Sequence, residues 1–267
     1  MAKVQQISEI TPSFAFTEFD FYKDYEESFK RSELGRIHTL LPLHEMAIRF
    51  GLIDPHPRKK AGRKSYFSPK GKVALMFLKS YTGLSAPKLM EQLNANIHYQ
   101  IFCGIRISSA NPLANYKLID DIILELSKRL KIQNQQEALA EVWKPYMKNL
   151  DTLYTDATCY ESAMRYPTDA KLLWECIEKV YPMMCQTSRE LGIHRMRTKY
   201  LDASPCTSHS NGRMEGSFGT QKEHYGLKRI NGRIKKTEIL IIFFGIHTAN
   251  AVQLARRIAK EELCRAA

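Results

Sequence analysis

Residues 68–94, SPKGKVALMFLKSYTGLSAPKLMEQLN, decide the fold of the first half of the chain. Ser68 followed by Pro69 predicts a helix start, because serine caps exposed backbone amides and proline fits the first turn. Apolar side chains then recur at helical spacing as far as Gly83, where we expect the helix to end.

A second helix follows after only one further residue. Ser85 is placed to cap it, and it extends to about Asn94 with Leu89 and Leu93 on its inner face. Two short helices joined by a glycine turn predict a helix-turn-helix.

Further helical patterns flank this unit. Residues 1–35 mix acids and aromatics without a clean period and are interpreted as an N-terminal arm. A short helix is predicted over Leu40–Phe50, beginning near Pro42, and an amphipathic helix over Asn115–Leu130. We therefore predict an all-helical first domain over residues 36–149.

A strongly basic segment precedes the first of these paired helices. Arg58–Lys72 contains seven Lys or Arg residues, no acid, and glycine and proline. It is interpreted as an exposed loop, either merely solvated or in contact with DNA phosphates while the second helix enters a groove. On the second view, the DNA-contacting residues of this half are Arg58, Lys59, Lys60, Arg63, Lys64 and Lys88.

Charge and composition limit the function. The 267 residues include 40 Lys plus Arg against 28 Asp plus Glu, a formal net charge of +12, which favours DNA, RNA or an anionic membrane as partner. Six cysteines without a Cys-x-x-Cys pair argue against a zinc ribbon and fit a reducing cytoplasm. No signal peptide is evident, and the apolar run Ile239–Ile246 is too short to span a membrane, so it is interpreted as a buried helix segment.

The second half changes character. Leu150–Tyr154 is predicted to be a strand that pairs with Cys159–Tyr166, and helix returns over Thr168–Leu191. A polar linker, Thr198–Gly212, leads to a short helix and then to a long final helix over about Thr237–Glu262. The predicted fold class is thus mainly α with a small α/β part.

Three residues in this half are candidates for chemistry. Asp156 follows the predicted strand, where it is either a metal-binding carboxylate or a turn aspartate. Glu215 and Lys222 lie seven residues apart, so a helix places both on one face. A carboxylate beside an ammonium suits a site for a metal ion and a phosphate.

Several motifs together resemble those of bacterial insertion-sequence transposases of the DDE type. They are DATCYES (156–162), RYPTDAKLLWE (165–175) and EGSFGTQKEHYGLKR (215–229), and residues 37–149 are similar to the N-terminal DNA-binding region of that family. The resemblance covers most of the chain.

The resemblance implies a ribonuclease-H-like domain over residues 150–267. In that family two aspartates and a glutamate hold divalent ions, so Asp156 corresponds to the first acid and Glu215 to the last, with Mg²⁺ or Mn²⁺ as the expected cofactor. Lys222 corresponds to the lysine that contacts DNA phosphate. The implied partner is the double-stranded DNA of the element ends.

The chain departs from the family where the second aspartate is expected. Only 58 residues separate the two acids, which implies an internal deletion near 203–213 and a shortened catalytic domain. Asp202 is the best substitute ligand, although a loop aspartate is the simpler interpretation. Asp169, which also suits a capping role, and Glu161 are weaker alternatives.

Basic residues around the last motif predict a second DNA-contacting surface, made of Arg213, Lys222, Lys228 and Arg229.

The leading interpretation is a transposase-family protein that binds element ends, derived from an enzyme that cuts and joins DNA. The alternative is a catalytically inactive DNA-binding remnant that competes with full-length transposase. A homodimer or a mixed dimer with the full-length protein is expected, without membrane association, in the bacterial cytoplasm and at the nucleoid when DNA is bound. A third interpretation is a second half that packs poorly because its strands lack neighbours.

Overall fold

The computed structural model describes residues 4–6, 18–53, 65–108, 110–147, 169–192, 219–228, 230, 232 and 234–266, and this part of the chain is mainly helical. Residues 219–224 form a short helical segment, and a 3₁₀ turn covers Lys144–Tyr146. The strands are β1 (Val4–Gln6) and β2 (Ile105–Ile107). The helices are α1 (Glu18–Arg31), α2 (Glu33–Thr39), α3 (Leu43–Arg49), α4 (Pro69–Thr82), α5 (Ala86–Ala95), α6 (Ile97–Cys103), α7 (Lys117–Arg129), α8 (Ile132–Trp143), α9 (Asp169–Glu190) and α10 (Lys235–Ala266).

Helix α4 is the centre of the core. Its start is as the sequence predicts: the Ser68 side chain accepts a hydrogen bond of 3.1 Å from the Gly71 amide, and Pro69 occupies the first turn. All residues from Val73 to Leu78 are buried, because α3, α6, α7 and α10 pack around the helix. An uninterrupted run of six buried residues is typical of a helix in the core of a protein.

The final helix α10 packs into this same core. Phe244 is buried and lies edge-on to Phe77 of α4, with ring centroids 4.9 Å apart, and Leu240 and Phe243 are buried beside it. The predicted buried segment at 239–246 is therefore confirmed. By length and composition Lys235–Arg265 could cross a bilayer, but half of its apolar stretch is buried inside the protein, as expected of a core helix.

Polar contacts tie α8 to the helices before it. The partly buried Arg49 guanidinium of α3 forms ion pairs with Glu45, Glu137 and Glu141 at 2.7, 3.5 and 3.2 Å. Trp143 is buried, and its Nε1 donates a hydrogen bond of 2.9 Å to the Leu40 carbonyl. These contacts attach α8 to the core.

Residues 1–35, interpreted as an N-terminal arm, contain α1 and the start of α2. The first domain is also not entirely helical: β1 pairs with β2 in the register Val4 opposite Ile107 and Gln6 opposite Ile105. The successive phenylalanines of residues 14–29 are separated by two, three, two and eight residues, which hides the helical period. A three-residue strand whose partner is a hundred residues away leaves no local signal.

The other predicted helices agree with the structure. The predicted helices at 40–50, 115–130, 168–191 and 237–262 correspond to α3, α7, α9 and α10. The predicted strand and hairpin at 150–166 lie outside the described residues. The domain boundaries and the ribonuclease-H-like assignment therefore stay predictions, although α10 packs in one core with the helices of residues 36–149.

Candidate nucleic-acid interface

The turn between α4 and α5 is defined by its backbone. Gly83 adopts a left-handed conformation, with φ of 63°, and its amide donates to the Lys79 carbonyl at 3.0 Å. Ser85 precedes α5 without a side-chain capping hydrogen bond. The two helices and the turn thus lie where the sequence predicts them.

Helix α5 buries one face and exposes the other. Leu89 and Leu93 are fully buried, as predicted. The exposed positions are Pro87, Lys88, Glu91, Gln92 and Ala95. Of the DNA contacts predicted for the first half, Lys88 is the one that the structure describes, and its exposure leaves it accessible to a ligand.

Side-chain amides hold α5 in place. The Asn94 amide group both donates to the Leu113 carbonyl at 2.8 Å and accepts from the Leu113 amide at 3.0 Å. Buried Gln100 donates to the Leu93 carbonyl at 3.1 Å and accepts from the Ile107 amide at 3.0 Å. Such paired bonds satisfy buried backbone groups and fix the helix end. Neither residue could be singled out from the sequence, because Gln92 and Asn96 carry the same side-chain amide in the same stretch.

A segment from late in the chain lies against the α4–α5 turn. A Cβ built on Gly83 would lie 3.5 Å from the backbone oxygen of His224, an ordinary van der Waals distance. Lys222 precedes His224 by two residues and is partly exposed. The structure therefore brings the Lys222 segment, residues 219–228, next to the turn that leads to Lys88.

The charged groups of the Lys222 segment include one ion pair. Lys228 Nζ donates to Glu223 Oε1 at 2.9 Å, and both side chains are largely exposed. This hydrogen bond lowers the pKa of Glu223 and raises the pKa of Lys228, so each group keeps its charge over a wider pH range. Lys228 is thus partly neutralised by its ion pair with Glu223.

A partly buried lysine contacts the backbone of the α4–α5 turn. Lys79 Nζ donates to the Leu84 carbonyl at 3.3 Å. Burial lowers the pKa of Lys79, and the nearby Asp120 carboxylate acts in the opposite direction. Its contact with the turn gives Lys79 a structural role.

A polar cluster joins α2, α4, α10 and the Lys222 segment. Arg256 of α10 donates to Glu33 of α2 at 2.7 Å, and the Tyr81 hydroxyl of α4 donates to the other Glu33 oxygen at 3.4 Å. Burial and the Glu33 charge raise the pKa of Tyr81 to about 12, so its hydroxyl remains a donor. Burial also raises the pKa of Tyr225, and the nearby charges of Arg256 and Glu33 act on this pKa in opposite directions.

A cavity of about 190 Å³ at the start of α4 does not suit a phosphate. Asp121 and Glu125 line it, and Lys72 within it is already paired with Glu125 at 2.6 Å. Lys70 and Lys72 also belong to α4, so the predicted basic loop ends before them.

Most predicted site residues lie outside the described part of the chain. These are Arg58, Lys59, Lys60, Arg63, Lys64, Asp156, Glu161, Asp202, Arg213, Glu215 and Arg229. Their roles stay predictions. Asp169 is the first residue of α9. Within the described ranges, no three His, Cys, Asp or Glu side chains form a group that could hold a metal ion.

Comparison with known families gives one finding. Residues 22–121 match the family model described as Transposase domain (DUF772). The matched region runs from within α1 into α7 and contains the α4–α5 turn, and the match supports a transposase family for this chain. Comparison with curated proteins and with solved structures gave no match.

Proposed function

We propose that this protein is transposase-like and binds the double-stranded DNA of insertion-element ends through its helical domain. The observation that supports this most is the transposase-domain match over residues 22–121, which includes the exposed face of α5. The net charge of +12 adds the electrostatic attraction that DNA binding requires. Lys88 is the first residue we assign to this contact, with Arg58, Lys59, Lys60, Arg63 and Lys64 before it.

A footprint tests the binding. Purified protein is incubated with DNA that flanks its coding sequence, and the duplex is digested with a nuclease. We expect a protected stretch near each end of the element, unaffected by an excess of scrambled competitor DNA. Protection that scrambled DNA removes at equal concentration would refute specific end binding, since specific sites bind roughly 10³–10⁷ times more tightly than other DNA.

Cleavage of DNA is a separate proposal that rests on the resemblance. The carboxylates that would hold Mg²⁺ or Mn²⁺ are Asp156 and Glu215, with Asp202 as substitute for the second aspartate. These three residues lie outside the described ranges. The alternative is a DNA-binding remnant that competes with full-length transposase.

One assay distinguishes the DNA-cleaving enzyme from the DNA-binding remnant. A labelled element-end duplex is incubated with the protein and either magnesium or manganese. Cleavage by the wild type that Glu215→Gln abolishes would support the enzyme and exclude the remnant. An intact duplex with both metals, under conditions where the footprint is present, would support the remnant.

A further inference from the structure

The Lys222 segment is fixed to the helical domain by packing. Leu227 is fully buried, and a Cβ on Gly245 of α10 would lie 2.6 Å from Leu227 Cδ2. Only glycine at position 245 leaves room for this leucine. Tyr225 and Gln221 are buried as well, so the backbone on both sides of Lys222 is held.

The position of the Lys222 segment is given by its contact with Gly83. The His224 oxygen lies over this turn, and Lys222 is two residues earlier in the short helical segment, an axial rise of about 3 Å. Lys88 follows Gly83 by five residues, a chain length that spans at most about 18 Å. One turn of a DNA duplex measures about 34 Å, so both lysines fall within a single turn.

Lys88 and Lys222 are both accessible to solvent. Lys88 is exposed and Lys222 is partly exposed, whereas the neighbouring Lys79 is directed to the Leu84 carbonyl. Lysines fixed on a rigid surface contact phosphates and position a duplex without reading its sequence.

We propose that the α4–α5 turn and the Lys222 segment form one composite surface, on which Lys88 and Lys222 bind phosphates of the same duplex. This proposal rests on the proposed DNA binding and adds that two distant parts of the chain share the contact. The consequence is that residues of the last sequence motif are positioned by the helical domain itself.

The test measures the salt dependence of binding to a short fluorescent duplex taken from the flanking DNA. The wild-type protein is compared with Lys88→Gln, Lys222→Gln and the double variant. Each phosphate contact contributes about 0.9 to the slope of log K against log salt. Loss of one contact therefore weakens binding about eightfold more at 0.1 M salt than at 1 M salt. We expect a slope reduced by about 0.9 in each single variant and by about 1.8 in the double variant.

Lys128→Gln is the matched control. Lys128 is an exposed lysine in the last turn of α7, near Glu125, which pairs with Lys72 at the opposite end of α4 from Gly83. This variant should bind as the wild type does. A loss equal to that of Lys222→Gln would show diffuse attraction and overturn the composite surface.

A double-mutant cycle tests the docking itself. In a Leu227→Ala background, Lys222→Gln should cause no further loss of affinity, while Lys88→Gln should still weaken binding. If Leu227→Ala fails to fold by circular dichroism, the single lysine variants decide alone. If Lys222→Gln binds with wild-type affinity while Lys88→Gln binds more weakly, this proposal is overturned and the proposed function is not. Failure of the wild type to bind any duplex would refute the proposed function and this proposal with it.

Discussion

Replacement of Phe244 by alanine tests whether α10 belongs to the core of the helical domain. The Phe244 ring is buried, lies edge-on to Phe77 at 4.9 Å and stacks parallel to Phe50 at 6.4 Å. Truncation of a fully buried phenylalanine costs about 3–5 kcal/mol, from lost burial and from the cavity left behind. At about 2–4 °C per kcal/mol in a protein of this size, the melting temperature should fall by roughly 6–20 °C.

The assay is thermal unfolding followed by circular dichroism. Gln253→Ala on the exposed face of the same helix is the control and should change stability by less than about 0.5 kcal/mol. If Phe244→Ala and Gln253→Ala melt together, α10 is not packed in the core as described.

A fragment of residues 1–149 extends the same reasoning, because it lacks α10. Four large α10 side chains are buried, Leu240, Phe243, Phe244 and Val252. At about 1.5–3 kcal/mol each, they contribute roughly 6–12 kcal/mol, comparable to the whole stability of a typical domain. We expect this fragment to show no cooperative unfolding. Limited proteolysis that yields a stable fragment ending near residue 149 would contradict this.

Three further predictions follow from single positions. Gly83→Ala and Gly104→Ala should each cost about 1–2 kcal/mol by chemical denaturation, because both glycines have φ near +65°. The two costs should be equal, since 3.5 Å to His224 is an ordinary contact and no atom of the described residues lies within 4 Å of a Cβ on Gly104. Ser68→Ala should cost about 1 kcal/mol and Ser85→Ala almost nothing, because only Ser68 accepts a capping hydrogen bond, and equal losses would contradict the described caps. Burial lowers the pKa of His247 to about 4, so between pH 6.5 and 4 the unfolded chain binds a proton that the folded chain does not. The free energy of unfolding should therefore fall by about 3 kcal/mol as the pH drops through this window, and His247→Leu should flatten the pH dependence of the denaturation midpoint.

Local signals made much of the fold predictable. Ser68, Pro69 and Gly83 mark the two ends of α4 through backbone chemistry that depends only on neighbouring residues. The apolar period of α7 and the run at 239–246 identify buried faces in the same way. Charge and sequence motifs indicated a transposase-like protein, and the family match supports that assignment.

Long-range contacts were not predictable from the sequence. Nothing near Gly83 indicates that His224 lies beside it, and nothing near Leu227 indicates that Gly245 makes room for it. The pairing of β1 with β2 is equally distant in sequence. For the candidate site, the exposure of Lys88 agrees with the sequence interpretation, whereas its proximity to the Lys222 segment required the folded chain.

The most direct test of the proposed function is competition binding at 0.15 M salt. Labelled DNA flanking the coding sequence is held by the intact protein and displaced by unlabelled flanking DNA or by scrambled DNA of equal length and composition. We predict that scrambled DNA competes at least about a thousandfold more weakly, the lower end of specific recognition. Equal competition by the two DNAs would contradict a protein that recognises element ends.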